Sequence, residues 1–193
     1  MGYNLAMVHQ RGHSDSGGKK IGIGISEAED LLKWAEYFSK DETVSQLVFC
    51  GTSMGCSTIA YASDRLEKAS GGKARAMILD CGFVSVYDQI KRDIGKRHVP
   101  PFAVMGVIAL SAKLFSKIDI KEKTTDRLKN SKIPAFFLHG ELDETVPVSD
   151  TMKNYDAAAG RKKVVVVENA YHAQAFTVGK NETKEKLRAF LES

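Results

Sequence analysis

The residues best suited to chemistry in this chain are Gly51-Thr52-Ser53-Met54-Gly55, which follow the apolar run Gln46–Cys50 and lead into the small residues Cys56, Ser57, Thr58, Ala60 and Ala62. A G-x-S-x-G pattern between a strand and a helix is a nucleophile elbow. The serine sits on a strained turn, so its neighbours must be small, and the helix N-terminus behind it favours developing negative charge. A serine hydroxyl is a weak nucleophile and needs a base within hydrogen-bond reach, itself oriented by a third group. Two loops offer those groups. His139-Gly140-Glu141-Leu142-Asp143 follows the run Ala135–Leu138, and Ala170-Tyr171-His172-Ala173 follows the run Lys163–Val167. Both loops are expected at the same sheet edge as Ser53.

The other reactive side chains read differently. His9, His13 and His98 follow no strand in the right chain order and read as structural or exposed. Asp80, at the end of the run Ala76–Leu79, stands as a fallback acid, and Glu141 and Glu144 read as loop surface. Gly22-Ile23-Gly24 lacks the third glycine and the preceding strand of a dinucleotide loop. Cys50, Cys56 and Cys81 make an odd number without CxxC or Cys/His metal spacing, so no metal site or other cofactor is expected. Cys50 and Cys81 are expected to behave as small buried hydrophobes.

These groups need elements to carry them. Apolar runs enriched in β-branched or aromatic residues recur at Tyr3–Val8, Gln46–Cys50, Ala76–Leu79, Ala135–Leu138 and Lys163–Val167, each far enough from the next for a crossover helix. That rhythm predicts an α/β chain with a predominantly parallel sheet flanked by helices on both faces. The valines 164–167 show no polar alternation, as expected of a strand covered on both sides. Ser26 followed by Glu29 reads as a capping box, and Ala28, Leu31, Leu32, Ala35 and Phe38 then share a helical face. A second helix is predicted from Val148 to Ala159 with Gly160 as its C-terminal cap, and a third closes the chain with Leu187, Phe190 and Leu191 inward. The chain is expected to form one domain over residues 1–193. Within it, residues 84–130 break the rhythm as a helical insertion, either a surface excursion or a lid whose apolar stretch Val104–Phe115 touches substrate.

Composition excludes several classes. The 28 basic and 24 acidic residues are scattered, with Arg161-Lys162-Lys163 the longest like-charged block, so no nucleic-acid partner is expected. The apolar stretch Pro101–Ala112 is too short for a membrane span. Met1 leads straight into strand-like sequence, so no signal peptide is expected and a reducing cytoplasm fits best.

From Gly2 nearly to the C-terminus the chain resembles the α/β-hydrolase superfamily, in particular its bacterial branch of small esterase-like and peptidase-like serine hydrolases. Arg11-Gly12-His13-Ser14-Asp15-Ser16 resembles the R-G-H-G-x-S loop, with Ser14 in place of a glycine. Gly51 to Gly55 matches the elbow, His139-Gly140 through Asp143 and Val146-Pro147 match the H-G-x-x-D-x-x-V-P acid loop, and His172 matches the catalytic histidine. The resemblance implies an acyl-enzyme on Ser53, proton transfer by His172, orientation by Asp143 and one oxyanion N–H from Met54. The expected substrate is a small-molecule ester or amide: the apolar lid candidate suggests medium acyl or aryl esters, and the peptidase-like relatives keep amides in play. The alternative is a catalytically impaired hydrolase acting as a binding or regulatory protein.

Family members normally begin with further strands, so a truncated α/β-hydrolase fold is expected. The loop after the third of those strands donates the second oxyanion N–H. With that strand gone, Tyr3–Val8 is expected to pair directly with Gln46–Cys50, bringing His9-Gln10-Arg11-Gly12 to the elbow and a backbone N–H of Gln10 beside that of Met54. The open sheet edge also implies a homo-oligomer.

Overall fold

Four of the five apolar runs become strands. The computed structural model describes residues 2–98 and 100–193. In it β1 (Leu47–Thr52), β2 (Ala74–Asp80), β3 (Ala135–Gly140) and β4 (Lys162–Val167) form one parallel sheet in the order β1-β2-β3-β4. Parallel neighbours cannot be joined by a tight turn, so each connection crosses the sheet through helices. Those helices are α1 (Ile25–Ser39), α2 (Met54–Ala69), α3 (Val86–Lys96), α4 (Pro101–Ser111), α5 (Thr124–Leu128), α6 (Val148–Ala157) and α7 (Ala175–Glu192), with a π-helical turn, Ala112–Ser116, continuing α4. The chain has an α/β-hydrolase fold.

The side chains of the strands alternate between two apolar clusters, because successive Cβ atoms point to opposite faces. Phe49, Met77, Leu79, Ala135 and Phe137 join residues of α1, α2, α5 and α6 on one face. Ala76, Ile78, Phe136, Leu138, Val165 and Val167 meet Leu187, Phe190 and Leu191 of α7 on the other. Each fully buried Phe or Leu contributes about 1.5–3 kcal/mol. No helix among the described residues is long and apolar enough to cross a membrane.

Several local expectations need correction. Residues Tyr3–Val8 form no strand and pair with nothing in the sheet, leaving β1 an edge strand among the described residues; Leu5 and Met7 are exposed. Cys50 is exposed rather than buried, because β1 is an edge strand and the α7 cluster on that face is built on β2, β3 and β4. Val166 is likewise exposed, since β4 is the opposite edge and is not covered on both faces. Helix α1 begins one residue before Ser26, and its terminus is held by Glu27, not Glu29. The buried Glu27 carboxylate accepts the Gly22 and Gly24 N–H groups at 2.7 and 2.8 Å, while Glu29 pairs with Arg65 on the surface. Helix α6 ends at Ala157. Gly160 is no cap; a Cβ there would lie 2.6 Å from the Ile133 carbonyl oxygen, so close backbone approach explains it.

Candidate active site

At the C-terminal end of β1 the chain reverses through Ser53, whose backbone has φ 54° and ψ −117°. Such a conformation costs a residue with a Cβ about 1–3 kcal/mol and persists only when its surroundings impose it. Here the Ser53 N–H donates to the Asp80 carbonyl of β2 at 2.8 Å, and Met54 immediately opens α2. A Cβ on Gly51 would lie 2.5 Å from the Gly55 carbonyl group. Strand and helix therefore cross closer than any side chain at 51 permits.

The two remaining loops leave the ends of β3 and β4 beside this turn. Ser53 Oγ donates to His172 Nε2 at 2.9 Å, and His172 Nδ1–H donates to Asp143 Oδ2 at 2.7 Å. The structure thus joins in one hydrogen-bonded chain the three residues singled out as nucleophile, base and acid. Asp143 is fixed on its other side too: Oδ1 accepts the N–H groups of Thr145 and Val146 at 2.8 and 2.9 Å. Three N–H donors, from Thr145, Val146 and His172, thus fix the position of this carboxylate.

Three residues that buttress the acid loop carried no chemical role in the sequence. His139, fully buried, places Nε2 at 3.0 Å from the Val146 carbonyl and 3.2 Å from Asp143 Oδ2. Since a carbonyl only accepts, Nε2 carries the proton and Nδ1 accepts from Thr151 Oγ at 2.7 Å. Burial pushes the pKa of His139 down, which keeps the ring neutral beside Asp143. Gln89 of α3 donates to the Thr145 carbonyl at 3.1 Å, and Lys96 donates to the Glu144 carbonyl. The first helix of the 84–130 segment is therefore stitched to the acid loop. His139 was visible as part of an H-G motif; Gln89 left no signal, because its contact spans 56 positions.

The loop meant to bring Gln10 to the elbow arrives by another route. Gln10 Nε2 donates to Thr58 Oγ1 at 2.9 Å, one helical turn beyond Met54. Arg11 pairs with Asp30 of α1 through both oxygens at 2.5 Å, and Ser16 Oγ donates to the His9 carbonyl at 2.7 Å. Side-chain bonds to α1 and α2 anchor the segment where strand pairing was expected.

Asp80, the last residue of β2, is 2% exposed. Its Oδ1 has no hydrogen-bond partner among the described residues, and Oδ2 is 3.4 Å from Thr52 Oγ1. Burial pushes its carboxyl from 3.8 up to about 6. The folded chain then holds a proton that the unfolded chain releases, so Asp80 lowers stability as pH rises from 3.8 through about 6. Asp80→Asn, uncharged throughout, is expected to stabilise the protein at pH 7.5 by up to about 3 kcal/mol and to have little effect at pH 3.5. Urea unfolding at the two pH values checks this; an equal difference at both would remove the charge as the cause.

The group nearest to a metal-ligand cluster among the described residues is Cys81, Asp143 and His172, whose donor atoms lie within 4.8 Å of one another. Burial and the neighbouring Asp80 push the Cys81 thiol up to about 12. The thiol is therefore protonated near neutrality, and the other two atoms already bond each other. Asp143 and His172 are thus engaged with each other, and Cys81 lies beside them as a neutral thiol.

Sheet, crossovers and elbow define an α/β hydrolase. Residues 1–192 match the prolyl oligopeptidase family, Peptidase S9, and the chain belongs to that family. An uncharacterized protein of Bacillus subtilis (strain 168), YqkD, is 26% identical over 200 residues, covering 100% of this chain and 63% of its own length. The chain therefore spans under two thirds of that relative. Among solved structures, the Pyrococcus furiosus esterase Pf2001 superposes with a TM-score of 0.70 at 19% identity, over 95% of this chain and 66% of the esterase. The enol-lactonase from Burkholderia xenovorans LB400 gives 0.60 at 19% identity, over 95% of this chain and 79% of its own. At such identities the likeness concerns the fold.

Proposed function

We propose that this chain carries the acyl-transfer site of a serine hydrolase acting on carboxylic esters. The observation that carries the reading is the unbroken relay from Ser53 Oγ through His172 to Asp143, at 2.9 and 2.7 Å. His172 Nε2 takes the hydroxyl proton as Oγ attacks the carbonyl carbon, then delivers it to the departing alcohol, leaving an acyl group on Ser53. Water repeats the sequence with His172 again as base and releases the acid. Asp143 holds the imidazole with Nδ1 protonated and stabilises the imidazolium. The Met54 N–H, at the first position of α2, has no acceptor within its helix and is one oxyanion donor; a backbone N–H near Gln10 is the second. The esterase and the lactonase among the structural relatives favour an ester substrate, while the family's peptidase name keeps amides as the lesser alternative.

A fluorophosphonate tests the assignment directly. It is expected to form one adduct, on Ser53, and Ser53→Ala should remove it; adduct mass on another serine would sink the proposal. A binding or regulatory role without turnover is the second reading. It is favoured by the absence of pairing between Tyr3–Val8 and β1, because a missing oxyanion donor costs about 10²–10³ in turnover. No adduct on Ser53 would favour it.

A further inference from the structure

Helix α4 is apolar on two opposite sides. Met105, Ile108, Ala109 and Ala112 have the i, i+3, i+4, i+7 spacing of a single stripe; Met105 is buried, and the other three pack against the main apolar cluster. A surface helix normally turns polar residues outward. Here Ala103, Val107 and Leu110 occupy the outer side, and no charged residue occurs from Pro101 to Ala112. Val107 is 70% and Phe102 90% exposed, and the apolar strip continues through Leu114 and Phe115 in the π-helical turn. Soluble monomers rarely expose such a patch without a partner.

The charge around the strip indicates what that partner is. Between Lys91 and Lys123 the chain has eight Lys or Arg against three Asp or Glu, a larger surplus than the +4 of the whole sequence. The basic groups sit at both ends of the helix. At its start, Lys91 and Lys153 line a cleft with Pro101 and Asp88, where Arg92 is paired with Asp150. At its end, Lys113 and Lys117 are exposed and Lys20 is held to the Phe115 carbonyl. A protein partner would have to match an uncharged strip between two cationic ends. A bilayer surface matches it without specific contacts: acyl chains take Val107, Leu110 and Phe102, and anionic headgroups meet the lysines.

We propose that α4 and the following π-helical turn form a docking element for an anionic phospholipid surface. The element is fastened to the acid loop through Gln89 and Lys96 of α3, so docking sets the hydrolase site next to the membrane interface. The inference stands apart from the catalytic assignment and holds for Ser53→Ala protein as well.

Vesicle flotation provides the test. The Ser53→Ala chain should float with phosphatidylcholine/phosphatidylglycerol vesicles, weaken with added salt, and bind pure phosphatidylcholine at least tenfold less. Val107→Ser with Leu110→Ser should lower partitioning tenfold or more, and Lys113→Ala with Lys117→Ala about fivefold per charge. All four side chains are exposed or half-buried, and circular dichroism confirms that the variants are folded. Phe102→Trp in a Trp34→Phe background gives a second readout, its emission shifting to the blue and being quenched by brominated lipid. No flotation with anionic vesicles, or equal flotation of the Val107/Leu110 variant, overturns the proposal. So does a concentration-dependent dimer in sedimentation that this same variant abolishes, because the strip would then be covered by a second copy.

Discussion

Ser53→Ala and His172→Ala are each expected to lower turnover of an activated ester by about 10⁶, and the double variant should be no worse than either. The reason is geometric. The hydroxyl proton has one acceptor at 2.9 Å, His172 Nε2, and without that ring the oxygen stays a neutral alcohol. Asp143→Asn is expected to lose less, about 10⁴, by inviting the wrong imidazole tautomer while leaving the ring in place. The Thr145 and Val146 N–H groups that now bond Oδ1 would compete for the single amide oxygen. Steady-state kinetics with a nitrophenyl ester checks the order of effects. Turnover within tenfold of wild type for His172→Ala would show that another group takes the proton.

How far the sequence foretold this site depended on whether the signal was local. The elbow was legible because a strained turn between strand and helix demands glycines at fixed offsets, and Gly51 and Gly55 stand there. Strands β2 and β3 were legible because they are central and unbroken in hydrophobicity. Tyr3–Val8 has the same composition but no strand beside it, and a strand exists only where a neighbour completes its hydrogen bonds. The exposure of Val166 and Cys50 follows from position in the sheet, which composition does not encode. Glu27 and Glu29 look alike in the sequence; only the path of residues 22–24 decides which carboxylate caps α1. Long-range buttresses such as Gln89 to Thr145 and Gln10 to Thr58 leave no trace in local spacing.

Gly140→Ala is expected to damage catalysis through one methyl group placed away from the three reacting side chains. Gly140 ends β3, and the acid loop that starts there runs against the loop carrying His172. The Leu142 N–H donates to the Ala170 carbonyl at 2.9 Å, and the Glu141 N–H to that of Val167 at 2.9 Å. A Cβ on residue 140 would lie 2.4 Å from the Ala170 oxygen and 2.6 Å from that of Tyr171. Both are backbone atoms, so neither can rotate away. Relief requires the two loops to part by about 1 Å, and His172 is the next residue along. A displacement of that size costs about 10² in rate when it moves a reacting group out of line. The same crowding should lower stability by about 1–3 kcal/mol. The expected signature is a fall in kcat and in the rate of fluorophosphonate labelling with KM little changed, since the groups that accept substrate stay where they are. Gly95→Ala in α3, where an added Cβ meets nothing within 4 Å, serves as the control and should gain about 0.5–1 kcal/mol from helix propensity. Labelling of Gly140→Ala at the wild-type rate would show that contact between the two loops does not hold His172 against Asp143.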